Sequence, residues 1–257
     1  MNETIATLKN HYSVRNYLPD PIKEEQLQAI IEAAQAAPTW GNAQQLSIVG
    51  VTDVDKKKKL SEIIGQPWID QAPVFLSFNL DFHRINQALE ADGQSFEAAE
   101  NVDTLLVGTT DVGIAMGNAI AAAESMGLGI VPIGAIRTRS EEIVNVLDLP
   151  KYVFPIVGLV IGYPDEINER KPRLPVHAFY HKESYQHDQL EAIQQYEDAI
   201  KTYMQSRPIQ KTWTETVARY YSHDKGIPQT SQSLEKQGFD FRKNDYDNVI
   251  NTTKKHG

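Results

Sequence analysis

Four apolar runs punctuate the chain and read as strands: Leu46 to Thr52 (LSIVGVT), Ala72 to Leu80 (APVFLSFNL), Ile130 to Ile136 (IVPIGAI) and Val153 to Tyr163 (VFPIVGLVIGY). Between them apolar residues recur at helical spacing. Residues 2–10 predict a short helix. Asp20-Pro21 opens a second, with Leu27, Ile30, Ile31 and Ala34 as its buried stripe and Glu24 and Glu25 at its positive end, and it stops at Pro38. Asp53 to Ile64 predicts a helix whose Lys56-to-Lys59 run reads as a solvated face. His83 to Leu89 predicts another. The longest helix covers roughly Phe96 to Met126, with a break near its start, and Gly127-Leu128-Gly129 stops it. Its interior holds Gly108, Gly113 and Gly117 among many alanines. Each helical glycine costs about 1 kcal/mol, so close approach of another backbone is expected, inside the domain or against a partner subunit. Residues 139–147 predict one more helix.

After the fourth run the pattern changes. Lys171-Pro172-Arg173-Leu174-Pro175 interrupts it, and Val176 to His181 reads as a short strand. Residues 187–206, 211–221 and 229–239 predict polar helices with few apolar anchors, poorly equipped to fold alone. The expected organisation is a single domain over 1–257: a body (1–170) with a layered sheet flanked by helices, and a helical excursion (171–257) wrapped over the body or a second subunit.

Composition narrows the function. Zero cysteines exclude disulfides, thiolate metal sites and cysteine nucleophiles. The net charge of −9 is uneven. Residues 1–170 hold 12 basic and 23 acidic side chains, while 171–257 hold 13 and 11. An acidic body is a poor nucleic-acid binder. The apolar stretch from Val102 to Ile130 contains Asp103, Asp111, Asn118 and Glu124, which argues against a membrane span. Met1 to Asn10 is polar, so no signal peptide is expected, and a cytoplasmic enzyme is the default.

The usual catalytic constellations are missing: no HExxH, GxSxG, P-loop, or GxGxxG opening a helix after a strand. Only His177 and His181 have metal-like spacing, in a segment read as extended, so no metal is expected. What remains is a dispersed set of hydrogen-bonding groups. In His11-Tyr12-Ser13-Val14-Arg15-Asn16-Tyr17, alternation places His11, Ser13 and Arg15 on one side of an extended segment and leaves Val14 for a core. The others are the Thr39-to-Gln44 loop, Gln66 beside Pro67-Trp68, the Ile133-Gly134-Ala135 strand end, and Lys171-x-Arg173. Such donors suit a ligand with an anion and several ring heteroatoms.

In order and wording these segments resemble the nitroreductase and NAD(P)H-dependent flavin reductase family, particularly its larger NADPH-preferring branch. HYSVRNY is similar to its His-Arg-Ser-x-Arg signature, and Pro38-Thr39-x-x-Asn42-x-Gln44 to its Pro-Ser-Ser-x-Asn-x-Gln loop. Ala122 to Gly129 and Pro132 to Arg137 resemble its helix-to-strand passage. Val157 to Pro164, then Lys171 to Pro175, complete the set. Three departures stand out: the Arg after the His is Tyr12 here, the second Gly after Pro132-Ile133 is Ala135, and the loop around Arg207 holds few cations beyond Arg207 and Lys211.

The resemblance implies an α+β fold with a central mixed sheet flanked by helices, in an intertwined homodimer binding FMN with residues from both subunits. It implies that His11, Tyr12, Ser13, Arg15, Lys171 and Arg173 lie at the ribityl chain and phosphate. Thr39, Asn42, Gln44 and Gln66 would line the ring, and Ile133, Gly134 and Ala135 would present backbone to its reactive edge. Arg207, with Lys211, matches the position that meets the 2′-phosphate of NADPH. The implied activity is a ping-pong transfer of a hydride from NADPH (or NADH) through FMN to nitroaromatic, quinone or flavin acceptors. Two alternatives stay open: an FMN-binding redox sensor or carrier, and a reductase supplying reduced flavin to a partner monooxygenase. Turnover with a dissolved acceptor separates the first from an enzyme; flavin release that depends on a second protein identifies the other.

Overall fold

Each apolar run becomes a strand, and the strands join in one antiparallel sheet. The computed structural model of the chain describes residues 2–165, 167–205, 207–208, 210–222 and 229–241. In chain order these form α1 (Glu3–Lys9), α2 (Glu24–Gln35), β1 (Leu46–Val51), α3 (Val54–Ile64), α4 (Trp68–Gln71), β2 (Val74–Asp81), α5 (His83–Ala91), α6 (Val102–Ser125), β3 (Gly129–Ile133), α7 (Ser140–Leu147), β4 (Val153–Gly162), α8 (Val176–Phe179), α9 (Leu190–Met204), α10 (Trp213–Tyr221) and α11 (Gln229–Lys236). Single 3-10 turns cover Trp40–Asn42, Glu97–Glu100 and Gly134–Arg137. They divide into two compact units, Met1–Ile167 with Ile227–Gly257, and Asn168–Gly226.

In the first unit the sheet order is β1-β2-β4-β3, every neighbour antiparallel. Outside these strands, an isolated parallel bridge joins Ser13 to Ile130 of β3. β2 is buried along its whole length, as a strand covered on both faces should be. Its Val74, Leu76 and Phe78 point to a cluster with Ile30 and Ala34 of α2 and Val112, Ala115, Ala119 and Ala123 of α6. Phe75 points the other way, to Leu60 and Ile64 of α3, Ile69 of α4, and Ile143 and Leu147 of α7. A third cluster joins Leu80, Phe82, Phe154 and Phe239 with Leu234 of α11, so that helix folds with the first unit.

The expected break at the start of the long helix falls at Asn101, whose side chain accepts from Asp103 N–H at 2.8 Å. Among the described residues α6 alone has the length and hydropathy of a membrane span. Its stripe Gly108, Asp111, Val112, Ala115, Ala119 and Ala123 is buried within the unit, and Gly108 allows the contact: a Cβ there would sit 2.0 Å from Leu80 Cδ1.

Four expectations need correction. The second helix starts at Glu24, with Lys23 as its N-cap, not at Pro21; Gln26 Oε1 accepts from Lys23 N–H at 3.3 Å and closes the first turn there. The third strand ends at Ile133, because the chain coils into the turn at Gly134. The segment after Pro175 is helical, not extended: the Asn168–Gly226 unit offers no strand among its described residues, so a strand there would have no ladder to join. Finally, the lysine run is not uniformly solvated. Lys57 is 5% exposed and donates to Ala72 O at 2.5 Å. Burial lowers its pKa, against the opposing pull of Asp70 and Asp53.

Candidate functional site

Residues 11–17 form a strap laid on the β3–β4 end of the sheet, and two glycines make room for it. Gly129 and Gly162 face each other across the ladder. A Cβ on Gly129 would lie 2.6 Å from Val14, and one on Gly162 would lie 2.8 Å from Tyr17. Main-chain bonds then fix the strap: Val14 N–H to Ile130 O and Leu18 N–H to Tyr163 O, both at 2.9 Å. Val14 is buried, as the alternation predicts, and the buried Tyr17 hydroxyl donates to Val14 O at 2.7 Å. Burial raises the Tyr17 phenol well above the ordinary tyrosine range, with Arg15 pulling weakly the other way.

The polar groups of the strap have different neighbours. His11 Nδ1 lies 2.5 Å from Glu124 Oε1, near the C-terminal end of α6. Ser13 sits at the bridge to Ile130. Arg15 is exposed, its guanidinium 5.4 Å from the Trp68 ring centroid, and it pairs with no carboxylate among the described residues. Tyr12, Trp68 and Ala135 pack on the cluster that holds Val14, Ile69 and Ile133. The strap, the Gln66–Trp68 corner and the β3 exit therefore share one hydrophobic base. Gln66 is anchored through its backbone, its N–H donating to Ser61 O at 3.1 Å and its carbonyl accepting from Ser61 Oγ at 3.0 Å.

A bulge secures the β3 exit. Phe78 pairs with Val157 and Asn79 with Pro155, which leaves Ile156 outside the register. Its carbonyl accepts from Arg137 Nη1 at 2.5 Å, and that bond holds the turn carrying Gly134 and Ala135.

The Thr39-to-Gln44 loop lies elsewhere. β1 and β4 run one way and β2 and β3 the other. The loop entering β1 and the turn leaving β3 therefore share one end of the sheet at opposite edges, three strand spacings or about 14 Å apart. Gly41, Asn42 and Gln44 all have φ near the left-handed region, at +57°, +54° and +53°. Both carboxylate oxygens of Asp111, a 4% exposed residue of α6, accept from Trp40 N–H at 3.3 and 3.1 Å. Thr39 Oγ1 accepts from Gln44 N–H at 3.1 Å, and Arg84 Nη2 donates to Gln44 O and Leu46 O at 2.8 and 2.6 Å. The side-chain amides of Asn42 and Gln44 stay exposed without a partner among the described residues. Beside the loop, Gln28, Ile31, Ser47, Arg84 and Ile85 help line a groove of about 820 Å³.

In the second unit, Arg173 Nη1 donates to Lys171 O and Pro172 O at 3.0 and 3.2 Å, which curls the KPR segment on itself. Tyr196 of α9 donates to Pro172 O at 3.3 Å; burial raises its phenol pKa, Arg173 lowers it and Glu197 raises it. Arg207 stacks on Tyr203 at 4.1 Å and pairs with Glu169 at 3.8 Å, while Lys211 is exposed. Glu197 accepts from Trp213 and Thr214 N–H at 2.9 and 2.7 Å. Burial alone would raise its pKa, but these bonds outweigh it and hold the carboxyl low.

Sequence reasoning passed over Trp68 as a stacking partner, and over Arg84, Asp111, Glu124 and Arg137. Asp111 carried a signal, being an acid on the helical stripe of small residues. Glu124 carried one too: a carboxylate near a helix C-terminus opposes the helix dipole. Among the described residues no group of His, Asp and Glu could hold a metal ion.

Residues 8–163 match the model described as Nitroreductase family, and residues 171–242 match Nitroreductase family, C-terminal domain. A Bacillus subtilis (strain 168) protein named FMN reductase [NAD(P)H] is 48% identical over 251 residues, covering 95% of this chain and 100% of the relative. The Vibrio harveyi NADPH-flavin oxidoreductase is 38% identical, covering 84% of this chain and 90% of its own. The solved structure of B. megaterium NfrA2 superimposes with a TM-score of 0.91 at 45% identity, covering 95% and 100% of the two chains. With both of its parts matched by family models and relatives aligned over nearly its whole length, this chain belongs to the nitroreductase family.

Proposed function

We propose that this protein is an NAD(P)H-dependent FMN oxidoreductase, a flavin reductase and nitroreductase. The observation that carries the reading is Arg15. It is an exposed guanidinium on an acidic chain, it has no carboxylate partner among the described residues, and it lies over the Trp68 ring. An Arg left without a carboxylate is suited to a phosphate, and a planar fork binds one with two hydrogen bonds.

The donor set fits FMN. Arg15, with Lys171 and Arg173, would hold the phosphate. His11, its Nδ1 turned to Glu124, keeps Nε2 for the ribityl–phosphate end, with Tyr12 and Ser13 alongside. Gln66, Thr39 and the exposed amides of Asn42 and Gln44 would meet the ring. Gly134 and Ala135, held by the Arg137 bond, would place backbone at its edge. Bound FMN supplies the hydride chemistry between NAD(P)H and acceptor, so the chain contributes binding, orientation and electrostatics. Arg207, with Lys211, would meet the NADPH 2′-phosphate.

The site is completed, in this reading, by a second copy of the chain. Two features support it: the Asn42 loop and the Arg15 strap lie at opposite edges of one sheet, and α6 exposes Val102, Leu106 and Ile114 along one stripe.

The deciding experiment is a visible spectrum of the protein purified without added cofactor, followed by anaerobic NADPH. A yellow protein that bleaches, and then turns over with a dissolved acceptor, is the expected outcome. A protein that stays colourless after FMN is supplied overturns the reading. Bleaching without turnover would leave a redox carrier.

A further inference from the structure

Flavin binding by the strap does not by itself give a reason for the placement of Glu124. Glu124 is the penultimate residue of α6, where the negative end of the helix dipole disfavours a carboxylate. Its side chain is 12% exposed, and Oε2 is buried without a hydrogen-bond partner among the described residues. A buried, half-satisfied carboxylate is a second cost to the fold. Both costs are set against one contact, the 2.5 Å approach of Oε1 to His11 Nδ1.

That contact has a definite chemical consequence. An ionised carboxylate only accepts hydrogen bonds, so the hydrogen on the facing nitrogen is assigned to Nδ1. The other ring nitrogen, Nε2, is then the one left to address a ligand. The ring is also held in place: His11 lies on the strap, its side chain is 28% exposed, and its tether to α6 spans 113 positions of sequence.

Building on the flavin reading proposed above, we infer that Glu124 is a positioning residue of the flavin site: by fixing the His11 imidazole through Nδ1, it presents Nε2 to the ribityl–phosphate end of FMN. Its contribution to binding runs entirely through His11.

The test is a double-mutant cycle on FMN affinity, read by flavin fluorescence on the full chain. Glu124→Ala should weaken FMN about 2- to 10-fold, the range of one net hydrogen bond. His11→Ala should weaken it at least as much, and the double variant should bind no more weakly than His11→Ala alone. Glu124→Gln, which keeps an acceptor oxygen, should recover most of the loss. Nitrogen-15 shifts of the His11 ring should show a protonated Nδ1 in the wild type. Additive losses in the cycle, unchanged affinity in Glu124→Ala, or an unprotonated Nδ1 would overturn the inference. The ring shifts and the Gln variant decide the matter if Glu124→Ala does not fold. A wild-type protein that binds no FMN overturns the flavin reading itself; one that binds FMN but gives an additive cycle overturns only the role of Glu124.

Discussion

At the scale of single residues, two side chains on the strap do opposite jobs. Among the described residues Arg15 pairs with no carboxylate and lies over Trp68, a contact of about 0.5–1 kcal/mol at an exposed site. Arg15→Ala should therefore cost little stability but weaken FMN by about 1.5–3 kcal/mol, the range of a charge-assisted bond. Unchanged FMN affinity in a fluorescence titration would remove Arg15 from the site. Tyr17, two positions on, is committed entirely. Its folded pKa lies above the unfolded value near 10, so the stability it contributes is fully present below that pH and is lost as pH rises toward the folded value. Thermal melts should show wild-type stability declining above about pH 10, and the decline should be shallower in Tyr17→Phe. In the second unit, Arg207 already has Glu169 as a neighbour, an exposed pair of small net worth. Arg207→Ala should raise the KM for NADPH more than for NADH; equal changes would assign the 2′-phosphate elsewhere.

At the scale of elements, α6 presents its glycines in two ways. Gly108 faces inward and leaves no room for a Cβ, so Gly108→Ala should destabilise by about 1–3 kcal/mol through overpacking. Gly113 and Gly117 have nothing within 4 Å of an added Cβ. On a free surface, Ala at either would stabilise by about 0.5–1 kcal/mol through helix propensity. Against a closely packed second copy, the paired substitution would instead loosen the dimer, which sedimentation at falling concentration would register. The glycine content of this helix was legible in the sequence, but which glycine met which surface was not. That division depends on Leu80, a residue of β2. The four strands were legible for a related reason, since β-branched and aromatic runs mark a sheet covered on both faces. The brief helix after Pro175 was not, because Val-His-Ala-Phe has the composition of a strand, and its unit offers no strand among the described residues for it to pair with. At the site, the strap and the Asn42 loop could be read from their donor-rich wording. Arg137, Asp111 and Glu124 could not, because each acts on a segment distant in sequence: a bulged carbonyl, a loop amide and an imidazole.

At the scale of the whole molecule, a shared site makes a prediction that no single chain can satisfy. Light scattering should report a mass twice the 28.9 kDa of one chain. If the Arg15 strap of one copy meets the Asn42 loop of the other, two defective homodimers, Arg15→Ala and Asn42→Ala, should regain activity when unfolded and refolded together. Each mixed dimer then has one intact and one doubly defective site, so about a quarter of the sites are restored under random pairing. No recovery would mean that each chain builds its own site.

The Asp111 clamp on Trp40 gives this arrangement a thermodynamic signature. One carboxylate ties the Asn42 loop to the helix whose outer stripe is exposed. If that tie couples the two, a partner that settles against the stripe biases the loop, and a ligand that settles on the loop biases the stripe. Linkage requires the two influences to be equal in size, so each flavin that binds the dimer some number of times more tightly than the monomer tightens the dimer by that same factor. Cofactor loss and subunit dissociation would then be two readings of a single equilibrium, and Asp111→Asn, by weakening the clamp, should pull them apart.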